Sequence, residues 1–150
     1  MNPIRSSSRR AGGFTLIEML IAVSAASVLS SIAYPSFQGV LHKARRSDAL
    51  VALMQVQAAQ ERWRANHRAY ASLAEIGVPA SSSAGHYTLQ VLSADDDGYE
   101  VVAVASGGQA RDAACRHLKL RLESATVTHL SGPDALVANP RAANRRCWSL

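Results

Sequence analysis

Residues 9–20, RRAGGFTLIEML, place two arginines and a pair of glycines directly before an apolar run, and a glutamate inside that run. From Phe14 to Tyr34 the only side chain that is charged at neutral pH is that of Glu18. At about 1.5 Å per residue, a helix over this run is about 30 Å long, which matches the hydrocarbon thickness of a bilayer. The stretch therefore predicts a membrane-spanning helix that carries one carboxylate.

The small residues stand on the wrong side of the apolar run for an ordinary secretory signal, in which the cleavage site follows the apolar stretch. Here Ala11, Gly12 and Gly13 precede it. Cleavage after Gly13 would remove the basic leader, keep the helix and make Phe14 the new N-terminus. An ionisable side chain inside a membrane segment costs free energy and indicates a function. Glu18 is therefore the first candidate functional residue.

The positive charge of the chain is concentrated at its two ends. The formal net charge is +5, and without residues 1–13 it falls to +2. Guanidinium groups beside an aromatic ring suit phosphate contact combined with base stacking. Four residues near the C-terminal end are therefore candidate DNA contacts: Arg141, Arg145, Arg146 and Trp148. A solubilising basic surface, or a contact with another subunit, is the alternative interpretation.

Beyond the apolar run, the hydrophobic period predicts that the helix continues to about residue 66, with Pro35 kinking it rather than ending it. Residues 71–85 are rich in small residues and predict a connecting loop. Alternating or continuous apolar residues then predict three or four antiparallel strands packed on the second half of the helix, an α+β fold. The predicted strands are residues 86–92, 99–105, 117–123 and 126–130.

The sequence contains no arrangement of residues that is typical of an enzyme. Asp95, Asp96 and Asp97 precede Gly98, which predicts a hairpin turn, and the alternative, a calcium loop, lacks a bidentate glutamate. The histidines have no metal-ligand spacing, and no phosphate-binding loop is present. Neither catalysis nor a metal or cofactor is expected.

The segment GGFTLIEMLIAVSAASVLSSIAYPSFQ (residues 12–38) closely resembles type IV prepilins and the related pseudopilins. The resemblance implies that prepilin peptidase cleaves between Gly13 and Phe14 and then methylates the amine of Phe14. It also implies that Glu18, the fifth residue of the mature chain, serves assembly, and that Pro35 is the helix-kinking proline of the family. In a stack of identical helices, the carboxylate of Glu18 can meet the amine of Phe14 on a neighbour, a pairing that selects subunits in register.

The resemblance implies the pilin fold, a long N-terminal helix packed on a small antiparallel sheet, in three parts. These are a leader (residues 1–13), the transmembrane and assembly half of the helix (residues 14–39) and a globular domain (residues 40–150). Two cysteines in a translocated domain favour one disulfide over two unpaired core thiols. Cys115 and Cys147 match the disulfide-bounded loop of the family, and the ending is similar to that of PilE-like minor pilins.

By this resemblance the chain is expected to be a structural pilus subunit, more in the manner of a minor pilin than of the major one. Its expected partners are other pilins, prepilin peptidase and the assembly machinery of the bacterial inner membrane. It is expected to span that membrane once with a periplasmic domain, and then to enter an extracellular fibre. A DNA-binding minor pilin for DNA uptake and a type II secretion pseudopilin are the alternatives, and adhesion and twitching motility stay open as pilus roles.

Overall fold

A single long helix begins the part of the chain that the computed structural model describes, residues 13–149. This helix, α1 (Leu16–Arg64), has 49 residues and continues through Pro35. The sequence predicted an end near residue 66, two residues beyond the observed one. The chain divides after Phe37 into two compact units, which are described separately below. The predicted leader, apart from Gly13, lies outside the described residues.

In the first unit, the α1 residues up to Tyr34 all have exposed side chains. The helix is long and apolar enough to cross a membrane, with a mean hydropathy of 2.0 over its most apolar stretch. Three of its serine hydroxyls are nonetheless satisfied, because those of Ser24, Ser27 and Ser31 donate to backbone carbonyls of the preceding turn at 2.7–2.8 Å. These serines therefore bring no unsatisfied hydroxyl to an apolar surrounding.

The second unit contains a four-stranded antiparallel sheet in which each strand pairs with the next one in the sequence. The observed strands agree with the predicted ones to within two residues at each end. They are β1 (Tyr87–Ala94), β2 (Gly98–Ala105), β3 (His117–Glu123) and β4 (Thr126–Gly132). The expected α+β fold is thereby confirmed.

One face of the sheet and one face of α1 form the core. On α1 the buried residues Ala49, Ala52, Leu53 and Val56 recur at helical spacing. On the sheet the buried side chains alternate over the first half of β1, as expected when one face covers a core, whereas β2 is buried at six of its eight positions. The largest of them are Tyr87, Tyr99, Val101, Leu118 and Leu120. Because burying one such side chain stabilises a fold by about 1.5–3 kcal/mol, this layer holds the sheet on the helix.

The tail after β4 contains a helix that the sequence did not predict. We expected an irregular loop bounded by the cysteines, whereas the structure has α2 (Arg141–Trp148), which begins after Pro140. Eight residues are too few for a stable isolated helix, so tertiary contacts must hold α2 in place. Two short 3-10 helices, Gly107–Arg111 and Ala113–Cys115, join β2 to β3, and the second of them contacts α2 and β4.

The loop before β1 is fixed to α1 by one carboxylate. Asp48 accepts hydrogen bonds from the hydroxyl of Ser82 at 2.6 Å and from the backbone N–H groups of Ala84 and His86 at 3.1 and 3.3 Å. Burial alone would raise the pKa of Asp48, but these hydrogen bonds outweigh that effect and lower the pKa below its ordinary value. Asp48 is thus an ionised clamp between helix and loop.

Candidate assembly site and basic surfaces

The N-terminal end of α1 carries the residues that the sequence assigned to processing and assembly. Thr15 precedes the helix, and the carboxylate of Glu18 accepts hydrogen bonds from both the N–H and the hydroxyl of Thr15 at 2.9 Å. The N–H of Glu18 donates in turn to the Thr15 hydroxyl at 3.2 Å. This reciprocal pair is a capping box, which satisfies donors that a helix start leaves without partners.

The capping box gives Glu18 a local function that the sequence analysis missed, although the T-x-x-E pattern at residues 15–18 could have revealed it. Phe14, directly before the capping box, is exposed, as are Leu16 and Ile17 within it. The carboxylate therefore lies at an exposed, otherwise apolar helix end. Such a surface needs lipid or other protein to cover it.

The two cysteines are joined in a disulfide between the second 3-10 helix and the last turn of α2. Side-chain amides hold α2 further. Asn139 donates to the carbonyl of Ala114 at 2.7 Å, and Asn144 donates to the carbonyl of His129 at 2.8 Å. The disulfide and these hydrogen bonds attach the tail to β4 and to the 3-10 helices at several points.

Trp148 does not occupy the position that base stacking requires, and this expectation is corrected. Its side chain is buried, with an exposed fraction of 7%, because its Nε1 donates to the carbonyl of Leu130 at 3.0 Å and its ring meets that of His129 edge to face. Burial also lowers the pKa of His129, which keeps that ring neutral. The three arginines named with Trp148, by contrast, are exposed: Arg141, Arg145 and Arg146.

A cleft of about 640 Å³ lies between α1 and α2. We call it the basic cleft, because its wall carries the cationic side chains of Lys43, Arg46, Arg145 and Arg146. Arg46 is engaged within the fold: its guanidinium donates to the carboxylate of Asp112 and to the carbonyl of Arg146. The cleft therefore brings together two arginines that the sequence analysis named and two α1 residues that it did not single out. The arginines are Arg145 and Arg146, and the α1 residues are Lys43 and Arg46.

A second basic surface, also missed, lies at the other end of α1 in the segment ERWRANHRAY (residues 61–70). The rings of Trp63 and His67 stack at 3.8 Å, and the guanidinium of Arg64 lies 5.7 Å from the ring centre of Tyr70. We call Arg62, Trp63, Arg64, His67 and Arg68 the aromatic–arginine patch. Its signal in the sequence is the interleaving of arginines with aromatic residues.

Within residues 13–149, no group of three or more His, Cys, Asp or Glu side chains is placed to hold a metal ion. At the acidic turn between β1 and β2, the carboxylate of Asp95 accepts hydrogen bonds from the N–H groups of Asp97 and Gly98 at 3.0 and 2.9 Å. This carboxylate therefore closes the hairpin.

Two models of known families match successive parts of the chain. The model of a family described as the type IV minor pilin ComP, DNA uptake sequence receptor, matches residues 35–119, more than half of the chain. The prokaryotic N-terminal methylation motif matches residues 8–34, a range that contains Gly13, Phe14 and Glu18.

Two individual proteins are similar to the chain. The type IV wide pilus major component PilA4 of Thermus thermophilus is 29% identical over 102 residues, which cover 67% of this chain and 78% of that protein. The type IV major pilin protein PilE1 of Neisseria gonorrhoeae is 28% identical over 124 residues, which cover 80% of this chain. The second match spans 57% of the length of PilE1. The pilin resemblance read from the sequence is confirmed.

Proposed function

This chain belongs to the type IV minor pilin family and is a structural pilus subunit, and we propose that it enters the fibre through Glu18 and the amine of Phe14. Removal of the leader by prepilin peptidase between Gly13 and Phe14, followed by methylation, creates that amine. The proposal is carried by one observation: an exposed apolar helix surface that begins with a single carboxylate. The surface is covered by lipid before assembly and by neighbouring helices in the fibre.

The charge of Glu18 makes the assembly selective. A carboxylate in the bilayer centre costs about 2.5–3.5 kcal/mol, and less near the interface. The hydrogen bonds from Thr15 satisfy part of the carboxylate but leave its charge. The amine of Phe14 on a neighbouring subunit neutralises that charge only where the two helices are in register. A helix shifted along its neighbour leaves both charges unpaired in apolar surroundings, which is strongly unfavourable.

Two substitutions separate this function from helix capping. Glu18→Gln keeps the side chain that a capping box uses but removes the charge, whereas Glu18→Val removes both. If Glu18 selects the register, both variants lose incorporation, measured as their amount in sheared pili relative to the membrane pool. Normal incorporation of Glu18→Gln, with loss in Glu18→Val, would reduce the residue to a helix cap.

The processing step is tested independently. N-terminal sequencing of the exported protein should begin at a methylated Phe14. A bulky replacement of Gly13 should block cleavage, because small residues let the backbone extend into a protease site. Before assembly, the mature helix spans the inner membrane once and the second unit is periplasmic, where its disulfide can form.

DNA contact is the second candidate function, and the aromatic–arginine patch favours it. The matched family is described as a DNA uptake sequence receptor, and the patch lies within the matched range. Exposed arginines can contact phosphates beside aromatic rings on which bases stack. The basic surface of α2 lacks that aromatic component, because Trp148 is buried.

Fluorescence anisotropy of a labelled duplex with the full processed chain in detergent tests this candidate. Arg62→Ala/Arg68→Ala should weaken binding and flatten its salt dependence by nearly two units of log–log slope, since each phosphate contact contributes about 0.9. Arg141→Ala/Arg145→Ala removes the same charge from α2 and serves as the matched control. Equal loss in both would indicate attraction by net charge without a site, and no binding at low salt would remove the candidate.

A further inference from the structure

The basic cleft combines cationic walls with an apolar floor. The floor consists of Ala114, Ala143 and the disulfide. Of the four cations, Arg46 already has partners, whereas the side chains of Lys43, Arg145 and Arg146 form no hydrogen bond or ion pair with any residue of the range 13–149. An anion that enters the cleft therefore meets three positive charges that the described part of the fold does not neutralise.

A second hollow of about 490 Å³ continues the basic cleft along α1. It shares Lys43 and Ser149 with the cleft, and its remaining wall is mainly apolar, formed by Val40, Ala44 and Leu50 with Ser47. Val40 is 63% exposed, so an apolar surface lies open directly beside the cations. We call this second space the apolar hollow. The basic cleft and the apolar hollow together fit an amphiphile with an anionic head. A simple anion or a nucleic acid backbone would fill these two spaces only in part.

The position of the cleft along the chain indicates where such an amphiphile is found. Gly39 lines the cleft and follows Tyr34, the last residue of the apolar run, by only five residues. Five residues span at most about 18 Å even when fully extended. The polar headgroup layer begins where the hydrocarbon core ends. Whenever the apolar run crosses a bilayer, this short connection therefore keeps the cleft near the headgroups, whatever the direction of the second unit.

We propose that the basic cleft binds the headgroup of an anionic phospholipid, with the apolar hollow covering the adjacent part of an acyl chain. The bound lipid holds the second unit of the unassembled subunit against the membrane surface. Lys43, Arg45 and Arg46 follow a membrane helix on its translocated side, opposite to the usual distribution of basic residues. A lipid-binding role gives these charges a function at that position. DNA would also match the positive charge of the basic cleft. DNA binding, however, would not account for the apolar hollow or for the short connection to the apolar run.

Binding of short-chain lipids to the full processed chain in a nonionic detergent tests the proposal by native mass spectrometry. Dioctanoyl phosphatidylglycerol should bind, and the zwitterionic dioctanoyl phosphatidylcholine should not compete with it. Lys43→Ala/Arg145→Ala should weaken binding of the anionic lipid about twenty-five-fold, since each basic residue at an anionic surface contributes about a factor of five. Arg62→Ala/Arg68→Ala, which removes the same charge at the far end of α1, should leave the binding unchanged.

Three further arms identify the ligand and guard against misfolding. The charge-preserving variant Lys43→Arg/Arg145→Lys should retain binding, and its failure to do so would contradict an electrostatic site. Inorganic phosphate should compete only weakly, because it does not use the apolar hollow. For the same reason, Val40→Ser should weaken binding of the lipid but not binding of phosphate. Equal binding of both lipids, equal loss in both alanine doubles, or displacement of the anionic lipid by a short DNA duplex would overturn the proposal.

Discussion

The guanidinium of Arg46 on α1 grips the carboxylate of Asp112 in a two-point contact, with Nε–Oδ2 and Nη2–Oδ1 distances of 2.6 and 3.1 Å. The remaining nitrogen, Nη1, donates to the carbonyl of Arg146 at 3.0 Å. Since Asp112 separates the two 3-10 helices, one side chain joins α1 to two other parts of the second unit. Both side chains are largely buried, with exposed fractions of 14% and 9%.

Breaking this pair from one side should be costly. Asp112→Asn leaves the guanidinium of Arg46 partly buried without a counter-charge, and we expect the free energy of unfolding to fall by about 3 kcal/mol. Denaturant unfolding of the detergent-solubilised chain measures the effect. The double replacement Arg46→Met/Asp112→Leu should recover most of the loss, since apolar side chains can replace a buried ion pair. A double variant no more stable than Asp112→Asn would contradict this account.

Asp48→Asn should loosen the loop before β1. The carboxylate accepts bonds from both Ser82 and Ser83 hydroxyls and from two backbone N–H groups, whereas an amide would turn its own donors toward some of these groups. We expect a loss of about 1–2 kcal/mol in the free energy of unfolding at neutral pH, mainly because the buried hydroxyl of Ser82 can lose its acceptor. Asp96→Asn, which changes an exposed carboxylate, is the matched control and should have little effect.

The same clamp predicts a pH dependence with a definite sign. The pKa of Asp48 is lowered from its ordinary 3.8 in the folded chain, so the folded state binds fewer protons than the unfolded state. The contribution of Asp48 to stability is therefore complete above the ordinary value and is lost as pH falls through the lowered folded-state pKa. Unfolding measured at neutral and at acid pH should show the difference between wild type and Asp48→Asn shrinking with acidification; a constant difference would exclude an ionised clamp.

Gly98→Ala should disrupt the pairing of β2 with β3. A Cβ on Gly98 would lie 1.9 Å from the carbonyl oxygen of Leu122 and 3.2 Å from the Cα of Glu123, both backbone atoms of the paired strand β3. Relief requires strand separation, so we expect a loss of about 3 kcal/mol or more in the free energy of unfolding. Gly39→Ala, with no atom within 4 Å of the added carbon, should instead stabilise α1 by about 1 kcal/mol.

Removal of the disulfide should release α2. Closure of the loop between Cys115 and Cys147, 32 residues apart, stabilises the fold by about 3–4 kcal/mol in the chain-entropy model. Cys115→Ser/Cys147→Ser should therefore expose Trp148. In a Trp63→Phe background, which leaves Trp148 as the only tryptophan, the emission of Trp148 should shift to the red. Unchanged emission would mean that the hydrogen bonds of Asn139 and Asn144 suffice to hold the tail.

The sequence predicted the elements whose residues repeat with a clear period. Leu118, Leu120 and Leu122 alternate in β3, and the apolar positions of α1 follow helical spacing. The period predicts β3 because a strand with one buried face must alternate. Gly98 was expected for its freedom in a turn, whereas the structure requires it because the partner strand passes too close for any side chain. Such a contact is invisible before strands are paired.

The candidate sites were only partly predictable. Gly13, Phe14 and Glu18 follow from a local motif, which a single stretch of sequence carries in full. The basic cleft brings Lys43 close to Arg145, about a hundred residues away in the chain. Arg145 lies on α2, which is too short for a hydrophobic period in the sequence to predict it. The two tryptophans were likewise hard to distinguish from their sequence surroundings, because each has an arginine within two residues. Tertiary packing buries Trp148 and leaves Trp63 accessible in part.

The order of the strands affects how the second unit acquires its structure. Each strand pairs with its immediate successor, so short turns can set the β1–β2 and β3–β4 registers, while β2 and β3 are joined through the two 3-10 helices. Local pairing of this kind lowers the loop-closure entropy that slows folding. With two cysteines there is also only one intramolecular pairing, so oxidation cannot trap a wrong isomer. The disulfide fastens the tail onto the meander, and because only one pairing exists, the subunit needs no disulfide exchange to reach it.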